Sequence, residues 1–204
     1  MIAKGRTTIR AEIDFGYSTY TQFIKENKSI ISAYMKNIDK EIESITNDLT
    51  IDFEEKISLS DPYEKTNLDK EEAYALFNKF MFCSVYGFWE TSLCGILKYY
   101  GITPKDYPSD MLKQISFPKN PDTDLLTTPI RELRNYFTHD SLSPKRKNAI
   151  QVCIEQYGTL GLLECNDSYC ISSTDFVQTI LKLVYKTLCN IELFCNKTFK
   201  NKIQ

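Results

Sequence analysis

The amino-acid sequence predicts an all-α fold, a bundle of about four to six helices with a small β-hairpin before the last helix. Three observations predict it. Apolar residues recur every three or four positions over long segments, proline follows threonine or serine at two helix starts, and one short segment has a strand-like pattern. The chain has 204 residues, 42% of them hydrophobic, which is enough for one substantial core, so we expect residues 1–204 to form a single domain.

Two long helical patterns occupy the first half of the chain. The first follows a polar N-terminal arm, and the second begins near Asp69 and ends at Gly101. Between them, "LSDPYEKTNLDKEE" contains Asp, Pro and Asn residues that interrupt helices. The second pattern is apolar on nearly all sides in its middle, which is typical of a central helix. The apolar positions of the first pattern are Tyr20, Ile24, Ile31, Tyr34, Ile38, Ile42, Ile45 and Leu49.

Residues 101–128 are the most loop-like region. Their prolines leave room for one short helix, at "SDMLKQIS". Two further helices then begin at Thr128-Pro129 and Ser143-Pro144, because a hydroxyl can cap free amides and proline at the first helical position loses no hydrogen bond. The first of these should bury Ile130, Leu133 and Phe137, and the second should stop at Gly158.

The end of the chain predicts the hairpin and the closing helix. In "TLGLLECNDSYCIS", two short apolar runs flank Asn166-Asp167, as in a β-hairpin. Ser172 or Ser173 then caps the last helix. Its apolar positions are Phe176, Ile180, Leu183, Val184, Ile191 and Phe194.

Composition excludes several classes of function. Lys and Arg number 25 against 27 Asp and Glu, so a polyanion site must be local. The longest apolar stretch, "FMFCSVYGFW", is shorter than the roughly 20 residues of a membrane span, and the first sixteen residues lack the apolar segment of a secretory signal. We therefore expect a cytoplasmic protein with no membrane partner.

The cysteines and the single histidine argue against metals and cofactors. The seven cysteines form no C-x-x-C pair and are odd in number, so free thiols are expected rather than disulfides or a zinc site. One histidine cannot form a histidine-rich metal site. The cysteines are Cys83, Cys94, Cys153, Cys165, Cys170, Cys189 and Cys195.

The one histidine, His139, lies in "RNYFTH" with Arg134 and Asn135. On an ideal helix Arg131, Asn135 and His139 lie along one face, whereas Arg134 is roughly 140° from His139. Polar faces of this composition are also common on helices without a catalytic role, so the spacing alone does not define a site.

The order arginine, polar residue, three variable residues and histidine resembles the signature of the HEPN superfamily, all-helical domains found in many prokaryotic ribonucleases and toxins. Arg134, Asn135 and His139 match its positions. The context is also similar: long helices precede the motif, one of them carries an aromatic-acid pair in "FWE", and a further helix closes the chain. The resemblance covers most of the chain by architecture and six residues by motif.

This resemblance implies a metal-independent endoribonuclease, in which the 2′-hydroxyl of RNA attacks the adjacent phosphate and leaves a 2′,3′-cyclic phosphate. Histidine exchanges protons near neutral pH, which suits His139 to act as base or acid. Arg134 is suited to the charge on the pentacoordinate phosphate. Asn135 would orient the histidine or bond a phosphate oxygen.

The resemblance also implies a homodimer, because one histidine cannot comfortably serve as base and acid in one step. In HEPN ribonucleases two motifs face each other across a two-fold axis, so a composite cleft is expected. Arg131 and the run Lys145, Arg146 and Lys147 are candidates for RNA phosphate contacts. An equally good interpretation of the run is a solvated first helical turn.

Three further residues have open interpretations. Glu90, in an apolar helix, should pair with Arg131 or Arg134, or else lie at the surface. Trp89 and Tyr136 could stack RNA bases, although such aromatics are more often core. Asp140 could influence His139, cap the helix or face solvent.

The sequence departs from HEPN toxins paired with a nucleotidyltransferase antitoxin, since Ser141 stands where they carry a modified tyrosine. The chain is more similar to the HEPN proteins of abortive-infection phage defence, and an antitoxin or phage-encoded activator is a candidate partner. One alternative is a non-catalytic HEPN module that binds a partner protein or nucleotide. Another is an unrelated helical scaffold, monomeric, with the motif helix facing solvent.

Overall fold

A computed structural model describes residues 8–48, 50–139, 141–165 and 168–199, with only the backbone described at 67, 69 and 165. Within these ranges the fold is all-α with one two-stranded antiparallel hairpin, as predicted. The described part contains seven α-helices, more than the four to six expected. They are α1 (Thr8–Asn47), α2 (Phe53–Tyr99), α3 (Pro108–Gln114), α4 (Pro121–Thr127), α5 (Pro129–His139), α6 (Pro144–Tyr157) and α7 (Thr174–Phe199), with β1 (Leu162–Cys165) and β2 (Ser168–Ile171) between α6 and α7.

Helix α1 begins well before the first apolar position that the sequence pattern identified. Ile9 and Ile13 are buried in its first turns. At Gly16 the ring of Phe88 lies where a side chain would stand, because a Cβ there would be 2.4 Å from Phe88 Cε2. The segment predicted as a polar arm is helical from Thr8 onward, so that prediction was wrong. The apolar pattern did not indicate this helix because Gly16 contacts Phe88 of α2 without an apolar side chain of its own. Leu49 lies outside the described residues.

Helix α2 begins at Phe53, not near Asp69, so the predicted interruption at "LSDPYEKTNLDKEE" is wrong. The start is capped by Asp52, whose carboxylate accepts from the Glu55 amide at 2.9 Å. Pro62 lies inside the helix. Proline removes one backbone hydrogen bond there, which a 47-residue helix packed against α1 tolerates.

The end of α2 follows the sequence prediction at Gly101, which has a positive φ of 72°. The Gly101 amide donates to the Lys98 carbonyl and the Ile102 amide donates to the Leu97 carbonyl, both at 2.9 Å. This pair of bonds is a Schellman ending, and only glycine adopts its left-handed backbone without strain.

Helix α2 is the central element, and it contacts α1, α3, α5, α7 and β2. Phe82, Val85, Trp89 and Leu93 are fully buried along it. It is the one described helix long and apolar enough to cross a bilayer by composition, with a mean hydropathy of 1.3 over 18 residues. That is weak evidence for a membrane span, because the core helix of a globular protein meets the same criterion.

Two short helices lie in the proline-rich region where one was predicted. Helix α3 starts at Pro108 and corresponds to the expected helix. Helix α4 was missed, although Asn120-Pro121 is a start signal: the Asn120 side chain accepts from the Thr123 amide at 3.0 Å. Helix α4 leads directly into α5 and helps to position it.

The hairpin and the helices around it match the sequence prediction. Ser143 caps α6, Gly158 follows its last residue, and Ser173 accepts from the Asp175 amide at the start of α7. Strand β1 pairs with β2 in the register Leu162 to Ile171, and the turn residues Asn166 and Asp167 lie outside the described residues. All six apolar positions named for α7 are buried or pack against the core.

Candidate functional site

Helix α5 presents the motif because its apolar face is held in the core. Ile130, Leu133 and Phe137 are buried, as predicted, and Tyr136 is buried beside them. The helix starts with the Thr128 carbonyl accepting from the Glu132 amide at 3.0 Å. The opposite, polar face carries Arg131, Arg134 and Asn135, all partly exposed.

Arg134 is held by Glu90 of α2. Its Nη2 donates to both carboxylate oxygens, at 2.9 and 2.8 Å, and its Cζ lies 5.0 Å from the centre of the Tyr86 ring. Of the two partners proposed for Glu90, the structure selects Arg134. The N–H groups on Nε and Nη1 make no hydrogen bond within the described residues, so three of the five guanidinium donors remain available.

Tyr86 packs against the Arg134 guanidinium. Its hydroxyl donates to the Leu126 carbonyl at 3.2 Å. Burial and the neighbouring Glu90 carboxylate raise the pKa of Tyr86 well above its ordinary value. The phenol therefore stays neutral and supplies an aromatic face for the Arg134 cation.

An open cavity of about 630 Å³ lies in front of Arg134. Arg131, Arg134 and Asn135 line it from α5, and the rest of its wall comes from α2 and the region of α3. Those further lining residues are Glu90, Asp106, Tyr107, Ser109 and Asp110. The sequence analysis did not identify Asp106 and Tyr107 as site residues. They lie in a loop that carries no motif, and nothing in its sequence indicates that it lies next to α5 in the fold.

His139 does not line this cavity. It is the last residue of α5 and is exposed. Within one chain the structure therefore brings Arg134 and Asn135 together and leaves His139 outside, because His139 lies one turn beyond Asn135 at the end of α5. Asp140 lies outside the described residues.

The predicted RNA-binding residues fall into two environments. Arg146 is partly buried: its Nε donates to Glu132 Oε2 at 3.2 Å, and its Nη1 donates to the carbonyl and hydroxyl of Ser141. Arg131 donates to the other Glu132 oxygen at 3.1 Å. Lys145 and Lys147 are exposed at the start of α6.

Glu132 is therefore a buried carboxylate between two arginines. Burial by itself would raise its pKa, but the hydrogen bonds and charges of Arg131 and Arg146 outweigh burial and lower the pKa below its ordinary value. This ion-paired group fixes the start of α6 against α5, so Arg146 is engaged in structure and not free in the way that Lys145 and Lys147 are.

Trp89 and Tyr136 are core residues. Trp89 is fully buried, and Tyr136 is 6% exposed with its hydroxyl accepting from the Tyr169 amide at 3.3 Å. Neither ring is available to stack on a base in this structure. Tyr136 instead attaches the hairpin to α5.

Within the described ranges, no group of three or more His, Cys, Asp or Glu side chains is placed to hold a metal ion. Comparison of the chain with protein-family models, curated proteins and solved structures gave no significant match.

Proposed function

We propose that the chain is a metal-independent endoribonuclease of the HEPN type, which cleaves RNA through attack of the 2′-hydroxyl at a site built by two copies of the chain. One observation carries the proposal: two motif residues, Arg134 and Asn135, line an open cavity, and three of the Arg134 N–H donors make no hydrogen bond within the described residues. A guanidinium held in place by a carboxylate and an aromatic ring is preorganised for a phosphate.

The proposed roles rest on the chemistry of the three side chains. Arg134 binds the phosphate through Nε and Nη1, and so stabilises the charge that grows on the pentacoordinate phosphorus. Asn135 bonds a phosphate oxygen or the imidazole. His139 removes the proton from the 2′-hydroxyl or delivers one to the leaving 5′-oxygen.

A second copy supplies what one chain lacks. His139 is exposed outside the cavity of its own chain, and the described part contains no other histidine. In a two-fold dimer, the histidine at the end of each α5 reaches the cleft that contains the partner's Arg134, and one imidazole serves as base while the other serves as acid. Activity therefore depends on dimerisation.

The chain acts in the cytoplasm as a toxin or abortive-infection effector in phage defence, controlled by an antitoxin or a phage-encoded activator. Arg131, Lys145, Arg146 and Lys147 contribute positive charge next to the motif. Lys145 and Lys147 are the exposed members of this set and are the ones suited to contact the RNA backbone.

The test uses purified wild type and His139→Ala, each incubated with total RNA in EDTA, followed by mapping of the 3′ ends. Wild type should leave 2′,3′-cyclic phosphates, and the variant should lose at least a hundredfold in rate, the size typical of a lost general acid or base. Gln151→Ala, an exposed change on α6, is the matched control and should cut like wild type. A wild-type dimer that leaves RNA intact would contradict the proposal.

The dimer requirement is tested by dilution of the active enzyme. The rate per protein molecule should fall once the concentration drops below the dimer dissociation constant, which analytical ultracentrifugation measures independently. A constant rate per molecule across that range, or activity in a proven monomer, would exclude the composite site.

The contact between Glu90 and Arg134 favours a second candidate, a non-catalytic HEPN module that binds a partner protein or a nucleotide. The carboxylate neutralises the arginine in the free chain, which suits a structural pair as well as a positioned catalytic one. Under this candidate His139→Ala leaves binding and folding unchanged, and no RNA is cut by either protein.

A further inference from the structure

The residues that line the cavity in front of Arg134 do not have the charge expected of a groove that binds the RNA backbone. Three carboxylates, Glu90, Asp106 and Asp110, face it together with two arginines. A surface that follows phosphates is lined by cations, because each phosphate carries a negative charge. The acidic side of this cavity is therefore suited to a different part of a nucleotide.

The three carboxylates are not equivalent. Glu90 is engaged by Arg134 at 2.8 Å, and Asp110 by Lys113 at 3.0 Å. Asp106 makes no hydrogen bond or ion pair within the described residues, and it is exposed at the cavity. Both of its oxygens are free to accept hydrogen bonds from a ligand.

Tyr107 stands beside Asp106 with 60% of its surface exposed. Its backbone is fixed, because its carbonyl accepts from the Asp110 amide at 2.9 Å and the Met111 amide at 3.0 Å at the start of α3, and Pro108 follows it. Because this exposed ring lines the cavity and stands on a fixed backbone, it provides a platform on which a base can stack.

We propose that this cavity binds one unpaired base of the RNA, with guanine preferred, next to the phosphate that Arg134 contacts. Tyr107 stacks on the base, and the Asp106 carboxylate accepts from N1–H and the N2 amino group. This inference rests on the proposed function, and it identifies the residues that choose the cleavage position.

The preference for guanine follows from the pattern of donors on the base edge. Guanine presents two adjacent donors, which match the two oxygens of one carboxylate. Adenine and cytosine present one amino donor beside an acceptor nitrogen, and uracil presents one N–H between two carbonyl oxygens. The acceptors on those three bases would face the Asp106 carboxylate and repel it.

The first experiment measures cleavage of single-stranded RNAs that differ in one base, by wild type, Asp106→Asn and Tyr107→Ala. Wild type should cut next to guanosine at least about tenfold faster than next to the other nucleosides, since a bidentate contact discriminates by about that factor. Asp106→Asn should lose this preference and cut next to all four nucleosides at the slower rate. Asp39→Asn, an exposed carboxylate of α1 outside the cavity, is the matched control and should keep the wild-type pattern.

The second experiment separates this inference from the proposed function by measuring binding of the 5′-monophosphates GMP, AMP, CMP and UMP calorimetrically. Wild type should bind GMP about tenfold tighter than the other three nucleotides. Asp106→Asn should bind all four with the same affinity. Cleavage whose base pattern is unchanged in both cavity variants would overturn the base site and leave the ribonuclease intact. No cleavage, combined with GMP binding that depends on Asp106, would overturn the ribonuclease and leave the base site. Equal binding of all four nucleotides would overturn the base site.

Discussion

Glu132 is the residue on which the polar side of α5 depends. Its two oxygens accept from Arg131 and Arg146, and it is 8% exposed. Arg131 lines the cavity, and Arg146 fixes the segment that follows His139. A single buried carboxylate thus connects the cavity wall to the start of α6.

The lowered pKa of Glu132 predicts a dependence of stability on pH. Because its folded pKa lies below the ordinary value of 4.5, the ionised group stabilises the fold above that value, and the contribution is lost as pH falls through the folded pKa. Glu132→Gln should lower the free energy of unfolding by about 1–3 kcal/mol at pH 7, and the difference from wild type should shrink below about pH 4.

Urea unfolding of wild type and Glu132→Gln between pH 3 and pH 7 checks this prediction. Glu155→Gln is the control, because Glu155 is exposed on α6. A difference between Glu132→Gln and wild type that stays constant down to pH 3 would show that the ionised carboxylate contributes nothing.

At the scale of elements, the entry into the hairpin depends on Gly161. Its φ is 98°, and a Cβ at this position would lie 2.5 Å from Ser173 Cβ and 2.8 Å from the Ser173 backbone nitrogen. Its carbonyl accepts from the Ser172 amide at 2.8 Å. The turn before β1 and the start of α7 are therefore packed directly against each other.

Gly161→Ala should destabilise the protein by about 1–3 kcal/mol, because alanine is strained at this backbone conformation and meets the backbone of Ser173. Gly87→Ala makes the same chemical change in α2 at a position where nothing lies within 4 Å of the new methyl group. That variant should be neutral or stabilising by up to about 1 kcal/mol. Chemical denaturation of the two variants compares them, and equal midpoints would contradict the predicted packing.

At the scale of the whole molecule, the reactivity of the buried cysteines measures how closely the core is packed. Cys153 of α6 and Cys195 of α7 are fully buried, and burial raises the pKa of each thiol to about 12. The reactive form of cysteine is the thiolate. Both side chains should therefore be inert while the fold is intact.

We expect Cys153 and Cys195 to resist alkylation at pH 8 in the native protein and to react rapidly in 6 M guanidinium chloride. Peptide mass spectrometry after a timed iodoacetamide pulse identifies the modified positions. Rapid native labelling of Cys153 or Cys195 would show that the described packing of α6 and α7 opens easily.

Local signals in the sequence determined the fold class and many element boundaries. Pro129 and Pro144 start helices, Gly101 and Gly158 follow helix ends, and the apolar spacing of α5 identifies its buried face. These features depend on a few neighbouring residues, and for that reason a single sequence predicts them. The motif that suggests a ribonuclease is of the same local kind.

Only the tertiary structure decided which side chains share a site. Glu90 meets Arg134 from 44 positions away in the sequence, and Asp106 and Tyr107 complete the cavity from a loop that carries no pattern. The lengths of α1 and α2 also differ from the local pattern, because Pro62 lies inside α2 without ending it and Gly16 makes a helix contact without an apolar side chain. Contacts between distant segments depend on how the helices pack, and the spacing of neighbouring residues in the sequence does not determine that packing.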